Sequence, residues 1–332
     1  AGRGGLLVPA VPLPWAALGT LDANLSLAAT QVVWRGVPYR DFEAHLALAG
    51  GRLTLAPLAL RVPGGLVQGT VSADAGGAVS LALRAPGLAL APLLAAYHLP
   101  AQASGTLEAF LTMAGRGPTA QAVVAGLNGS AGAAMVNGTI DGKLVGQLLG
   151  QGLRTAGLPP LLAGRQGAER VRCLAVRLDA HDGAGRFPAL LLKSSRSYLD
   201  GGGSTNFGTE TLALDLAPRV ETAGQTAIVP VHVGGTWAAP KLTVKPGAAL
   251  AAGARVLGGI TGGKGFLGQL GQVLAPAQAS ALPPEQACAP ALAAARGGLP
   301  GPMPPPRPAA TPAAPASPAA PGLPQPLLRL LP

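Results

Sequence analysis

The residues able to do chemistry in this chain are few, and their spacing is loose. Asp179 and His181 stand two apart beside Asp182-Gly183, and a carboxylate next to an imidazole can do acid-base work near neutrality. Residues two apart on a strand also share one side of it, so the same pair reads as a solvated face, which is the simpler reading. Gly258-Gly259-Ile260-Thr261-Gly262-Gly263-Lys264-Gly265 approaches a phosphate-binding loop. Its final position is Gly265, where magnesium needs a serine or threonine hydroxyl, and no buried strand leads into it. Ser194, Ser195 and Ser197 carry no nucleophile-elbow pattern. His45, His98, His181 and His232 make no ligand spacing, and Cys173 and Cys288 form no CxxC pair, so no metal site is expected. The two thiols either close a very long loop in an oxidising compartment, worth roughly 4 to 5 kcal/mol by chain entropy, or remain buried and free in a reducing one. With no catalytic constellation and no cofactor motif, the expected protein is not an enzyme.

What must position these residues is a set of strands. From Val171 to His181, Leu174, Val176, Leu178 and Ala180 fall on one face and Arg177, Asp179 and His181 on the other, the period of two of a half-buried strand. Asp182-Gly183 is a tight-turn signal, and the chain returns through Phe187, Leu190 and Leu192. Tyr198 to Phe207 continues, Gly208-Thr209-Glu210 turns, and Leu212, Leu214 and Leu216 alternate again. The expectation is an antiparallel meander with one greasy and one wet face. Arg172, Arg177 and Arg186 are expected to make a basic stripe on the wet side, suited to headgroups or to solubility alone.

The same rhythm fills the first half of the chain. Leu21, Ala23, Leu25 and Leu27 alternate with polar residues, as do Phe42, Ala44, Leu46 and Leu48, and strands follow at Leu53 to Val62, Leu66 to Ser72 and Val79 to Leu83. Short strands at this spacing, flanked by glycines, argue for a large antiparallel sheet and against a parallel βαβ fold. Leu90 to Tyr97 has helical spacing, a strand runs from Thr106 to Met113, and Pro118 opens a second short helix over Thr119 to Leu127. After a strand ending at Val136, Asn137-Gly138 is a hairpin signal, and Asp141 is placed to cap a helix from about Lys143 to Thr155. Thr226 to Val233 and Lys241 to Lys245 make the last strands. Residues from Ala248 to Leu274 are helix-like but rich in glycine.

The chain has 332 residues, 48% of them hydrophobic, but only 11% charged and 3% aromatic. This is enough for a sizeable core built from leucine and small residues. The net charge of +10 attracts polyanions such as phospholipid headgroups or nucleic acid. No run of Lys and Arg interleaved with aromatics provides a stacking platform, so no nucleic-acid partner is expected. No stretch reaches the roughly 18 to 20 apolar residues of a membrane span, and no cleavable leader is seen. Because the chain starts at Ala1, a longer protein with an upstream targeting segment is expected.

Several stretches then resemble a known family. Leu53-Thr54-Leu55-Ala56-Pro57-Leu58, Leu127-Asn128-Gly129-Ser130, Asn137-Gly138-Thr139-Ile140-Asp141-Gly142 and Arg170-Val171-Arg172-Cys173-Leu174 are followed, in order, by Thr209 to Leu216 and by Val231-His232-Val233-Gly234-Gly235-Thr236-Trp237-Ala238-Ala239-Pro240. Together, over about Leu21 to Arg296, they resemble the C-terminal region of the AsmA family. The resemblance implies a Gram-negative envelope protein on the periplasmic side of the inner membrane, held by an N-terminal anchor not present here. It implies a β-rich body linked to outer-membrane biogenesis, to protein targeting to the membrane, and to phospholipid movement along a β-sheet groove.

The expected architecture is mostly β with a few short helices, a large curved antiparallel sheet. A linker occupies 1–19, the β-rich domain 20–246, a helical segment 247–297, and a disordered Pro/Ala-rich tail 298–332. The expected site is a lipid-facing surface formed by Leu174, Val176, Leu178, Leu190, Leu192, Leu212, Leu214 and Leu216. A strand such as Val171 to His181 extends roughly 35 Å and would form one wall of it. The partner is then a phospholipid. The second reading is a scaffold that contacts outer-membrane or assembly proteins through its edge strands.

Overall fold

The computed structural model describes residues 6–98, 103–141, 167–195, 197–222, 225–228, 230–244 and 286–304. Fourteen strands form one sheet: β1 (Ala23–Trp34), β2 (Val37–Ala49), β3 (Arg52–Val62), β4 (Gly65–Asp74), β5 (Ala78–Ala89), β6 (Ala103–Arg116), β7 (Asn128–Asp141), β8 (Ala168–His181), β9 (Ala184–Ser194), β10 (Ser197–Asn206), β11 (Thr211–Thr222), β12 (Gln225–Ile228), β13 (Val231–Thr236) and β14 (Ala239–Val244). Each pairs antiparallel with its neighbour in sequence, except that β12 lies off the path against one end of β11 and β13 takes the next place in the sheet. Among the described residues the order is a meander and the sheet is open, with β1 and β14 as its edges. Among the described residues, three short helices accompany it: α1 (Leu90–Ala96), α2 (Ala120–Ala125) and α3 (Cys288–Ala295).

The alternation read from the sequence becomes a continuous apolar face because the pairing register conserves parity from strand to strand. One row runs through directly paired residues Leu25, Leu46, Leu55, Val71, Leu81, Met113, Gly129, Ala180, Gly185, Thr205 and Leu212. A parallel row joins Ala133, Val176, Leu190, Gly201, Leu216 and Val231. Where register shifts, between Leu55 and Leu58 and again between Arg177 and Asp179, a bulge absorbs the extra residue and the apolar set stays on one side.

The tightest packing lies on the other face, which corrects the expected wet side. Cys173 and Ala175 are 0% exposed and Val171 is 1% exposed, although they alternate with Leu174 and Val176. Helix α3 covers them: Ala134, Cys173, Ala175, Leu191 and Tyr198 from the sheet enclose Cys288, Leu292 and Ala295. Small side chains make this possible. At Gly132, a Cβ would stand 2.0 Å from the carbonyl oxygen of Ala295 and 2.5 Å from the Phe110 ring. Gly132→Val is therefore expected to cost about 1 to 3 kcal/mol by forcing α3 off the sheet. Gly202→Ala, whose nearest contact is 3.6 Å away, should leave the thermal midpoint almost unchanged in the same melts.

A further correction concerns a turn. Asn137-Gly138 does not end a strand: β7 runs on to Asp141, and Asn137, at φ 58°, sits inside it. Across from it the pairing slips between Ser104 and Thr106. Asparagine tolerates the left-handed region, so the same dipeptide that makes a hairpin here makes a bulge. The expected helix over Lys143 to Thr155, the glycine-rich stretch with Gly258 to Gly265, and the tail beyond residue 304 lie outside the described residues.

The expected N-terminal linker is, from Leu6 on, a strap along one end of the sheet. The N–H groups of Leu7 and Val8 donate to the Glu210 carboxylate at the β10–β11 turn. Leu13 N donates to Pro118 O, Ala120 N to Val11 O, and the Trp15 indole N–H to Gly117 O. The strap finishes as a 3-10 turn (Trp15–Gly19) against β3. From Val8 to Gly19 it reaches roughly 32 Å at standard rises. The strands β3 to β10 that it crosses are seven spacings apart, roughly 34 Å at about 4.8 Å each. A strap of about the same reach as the strands it crosses, tied at Glu210 and at β3, limits how far that end of the sheet can spread.

Candidate functional site

All eight residues singled out from the sequence meet on the leucine face. Leu174 pairs with Leu192 and Val176 with Leu190 across β8 and β9. Leu212, Leu214 and Leu216 pair with Thr205, Gly203 and Gly201 of β10, which separates the two leucine banks. Each of the eight is half-buried, neither sealed nor fully open. Burial this partial arises from contact with neighbours on the same face; among the described residues no second sheet packs over them.

Sequence reasoning overlooked the glycines of β10. Gly201-Gly202-Gly203 sits between the banks, and the Leu216 side chain leans over bare backbone, 2.7 Å from where a Gly201 Cβ would be. A glycine run inside an alternating strand is the signal that could have found this, because it marks a place where something approaches the backbone closely.

One end of the leucine face is roofed. Helix α2 lies over the end of β6, its first turn capped by Thr119, whose hydroxyl accepts from Ala122 N. Phe207 and Trp237 stack edge to face at 5.5 Å, and the Trp237 indole N–H donates to the Thr205 hydroxyl at 2.8 Å. The strap with Trp15 runs along the same end. Three of the chain's few aromatics, Trp15, Phe207 and Trp237, therefore stand at this end of the sheet.

The polar candidates do not assemble into a reactive site. His181 Nδ1 lies 3.0 Å from Asp182 Oδ2, both largely exposed, while Asp179 is engaged by Arg177 Nε at 2.6 Å. Ser194 and Ser197 donate their hydroxyls to the buried carboxylate of Glu169, at 2.5 and 3.1 Å, a clamp at the end of β8. His232 pairs with Asp215 at 3.1 Å. Among the described residues, no group of three or more His, Cys, Asp or Glu is placed to hold a metal. The expected basic stripe is also absent as such: Arg172 has the parity of Leu174, whereas Arg177 folds over the Phe110 ring at 5.2 Å and donates to Ala294 O.

Cys173 and Cys288 are joined as a disulfide with Cα atoms 6.1 Å apart. It pins α3 to β8, on the face opposite the leucines. Arg296 strengthens the same attachment by a two-pronged pair with Glu108, at 2.6 and 3.2 Å, and by donating to Pro302 O at 2.7 Å. Among the described residues no helix is long and apolar enough to cross a membrane, which leaves the strands unaddressed.

Comparison with known proteins agrees with this geometry. The sequence model of the AsmA family matches residues 4–190, more than half of the chain. No curated protein and no solved structure matches it.

Proposed function

This chain belongs to the AsmA family, and from that premise we propose that its leucine face is a groove that accommodates the acyl chains of phospholipids moving between the inner and outer membranes of a Gram-negative envelope. The family is associated with the cell envelope, with its biogenesis and with lipid transport, and is not known as enzymatic. The finer reading places this domain on the periplasmic side of the inner membrane, tethered by an upstream anchor. Its support is one observation: the eight leucine-face residues of β8, β9 and β11 lie together on one side of the sheet, each half-buried, and among the described residues no second sheet covers them. Exposing a phospholipid's roughly 30 methylenes to water costs on the order of 25 kcal/mol. A carrier must therefore offer a continuous trough, and a row that crosses strand after strand at one level supplies it.

Leu178→Asp is expected to reduce phospholipid co-purification several-fold in native mass spectra, because a carboxylate on the lipid-facing floor loses its hydration when a chain lies over it. Leu178 is only half-buried, so the variant should still fold. A folded variant with unchanged lipid content would count against the groove. The scaffold reading keeps one observation of its own, the edges β1 and β14, to which no outer strand is paired among the described residues and which can take up a further strand from an assembly or outer-membrane protein. In that case the purified protein carries no phospholipid at all.

A further inference from the structure

The tip of the first hairpin departs from the rule that governs the rest of the sheet. Along β1, Asn24 and Ser26 alternate with Leu25 and Leu27, but Val32, Val33 and Trp34 are apolar on both sides of the strand. They are 42%, 60% and 61% exposed. Arg35 and Gly36, at φ 52° and 80°, turn the chain in the tight left-handed manner that projects a hairpin end outward. The Arg35 guanidinium lies 4.9 Å from the Trp34 ring centre. Beside them, the hydroxyl of Tyr39, paired with Val32 across the hairpin, is 2.9 Å from that of Tyr97, itself 46% exposed.

A strand tip apolar on both sides is not explained by the groove, which uses only one side. We propose that the β1–β2 hairpin tip, with Tyr97 beside it, is a docking point for the surface of an anionic lipid bilayer, with Val33 and Trp34 entering the interfacial layer. The composition is that of an interface anchor. Tryptophan and tyrosine are amphipathic and settle at headgroup depth, and an arginine stacked on an indole keeps its charge in water while its stem lies along apolar surface. Charge points the same way. From Thr30 to Arg40 there are two arginines and no acid, and the nearest carboxylate, Asp41, is engaged by Arg61 at 2.9 Å. A protein partner that added a strand to this edge would contact backbone along the whole of β1; it would not select an aromatic, basic tip.

The test is vesicle flotation of the 332-residue chain with phosphatidylethanolamine and phosphatidylglycerol, against vesicles of phosphatidylcholine alone. Binding to the anionic vesicles is expected to exceed binding to the neutral ones. It should fall by about tenfold or more in a Val33→Asp, Trp34→Asp double variant, the effect of losing roughly 1.4 kcal/mol or more, with the thermal midpoint unchanged because both side chains are exposed. Brominated lipid should quench indole fluorescence in the parent chain and not in Trp34→Phe, since Trp15 and Trp237 are hydrogen-bonded within the protein. Flotation retained by the double variant, or quenching that survives Trp34→Phe, overturns the proposal. A parent chain that ignores both vesicle sets also overturns it and leaves a protein partner as the account of this patch. None of these outcomes touches the groove, which is read from co-purified lipid.

Discussion

Removing the Cys173–Cys288 bridge, by reductant or as Cys288→Ser, is expected to lower the thermal midpoint by about 10 to 15 °C. The two residues are 115 apart in sequence. A link of that span restricts the unfolded chain by roughly 5 kcal/mol in the entropic account, and a domain of this size loses about 2 to 4 °C per kcal/mol. The consequence is local as well as global. Helix α3 has only two turns, too short to persist alone, and it connects to β14 through a long stretch of chain; without the bridge it must find the sheet by packing and by Arg296. Melting curves followed by circular dichroism, with and without reductant, measure this directly. A midpoint that moves by less than about 2 °C would mean that packing of Leu292 and Ala295 alone holds the helix, and that the unfolded chain is already compact.

The second large effect is expected at Glu108. The Arg296 side chain is 4% exposed and its partner 22% exposed, so Glu108→Ala strands a guanidinium between α3 and β6, where among the described residues the carbonyl of Pro302 remains to receive it. Breaking a buried pair by deleting one member costs about 3 to 5 kcal/mol, whereas replacing both by apolar residues can be nearly neutral. The double variant Glu108→Leu, Arg296→Met should accordingly recover most of the loss. Chemical denaturation of the two singles and the double gives the coupling. Additive losses, with no recovery, would show that the segment after α3 is held by its own prolines and not by the ion pair.

Much of this fold is legible in the sequence because a meander is a local fold: each strand pairs with its neighbour, and a period of two fixes both the element and its face. Leu174, Val176 and Leu178 needed nothing more than alternation to be placed together with Leu190 and Leu192. What lay hidden depends on distance along the chain. The second buried face of β8 looked wet because Arg172, Arg177 and Asp179 flank it in sequence. Cys173 and Ala175 are buried by a helix more than a hundred residues away, and nothing in the alternation announces that. The hairpin at Asn137-Gly138 failed for a different reason: the dipeptide specifies a backbone shape, and that shape serves a bulge in a long strand as well as it serves a turn. Pro9, Pro12 and Pro14 suggested a free linker, since proline cannot enter a ladder. They do not prevent the N–H groups of Leu7, Val8 and Leu13 from being spent on the rim of the sheet.

The strap has a consequence for calibre. An open meander has no closing ladder to fix its curvature, so twist and bulges set it only locally and an added tie between distant strands can change it. Here one end of the sheet is tied by a run of residues outside the leucine face, a drawstring between Glu210 and the first turns; on the proposed reading it would set the groove's width without touching what the groove holds. Adding or deleting a few positions between Val8 and Val11 should change the bore without altering one leucine of the lining, and two chains with identical strands and different drawstrings would be gauged for different loads.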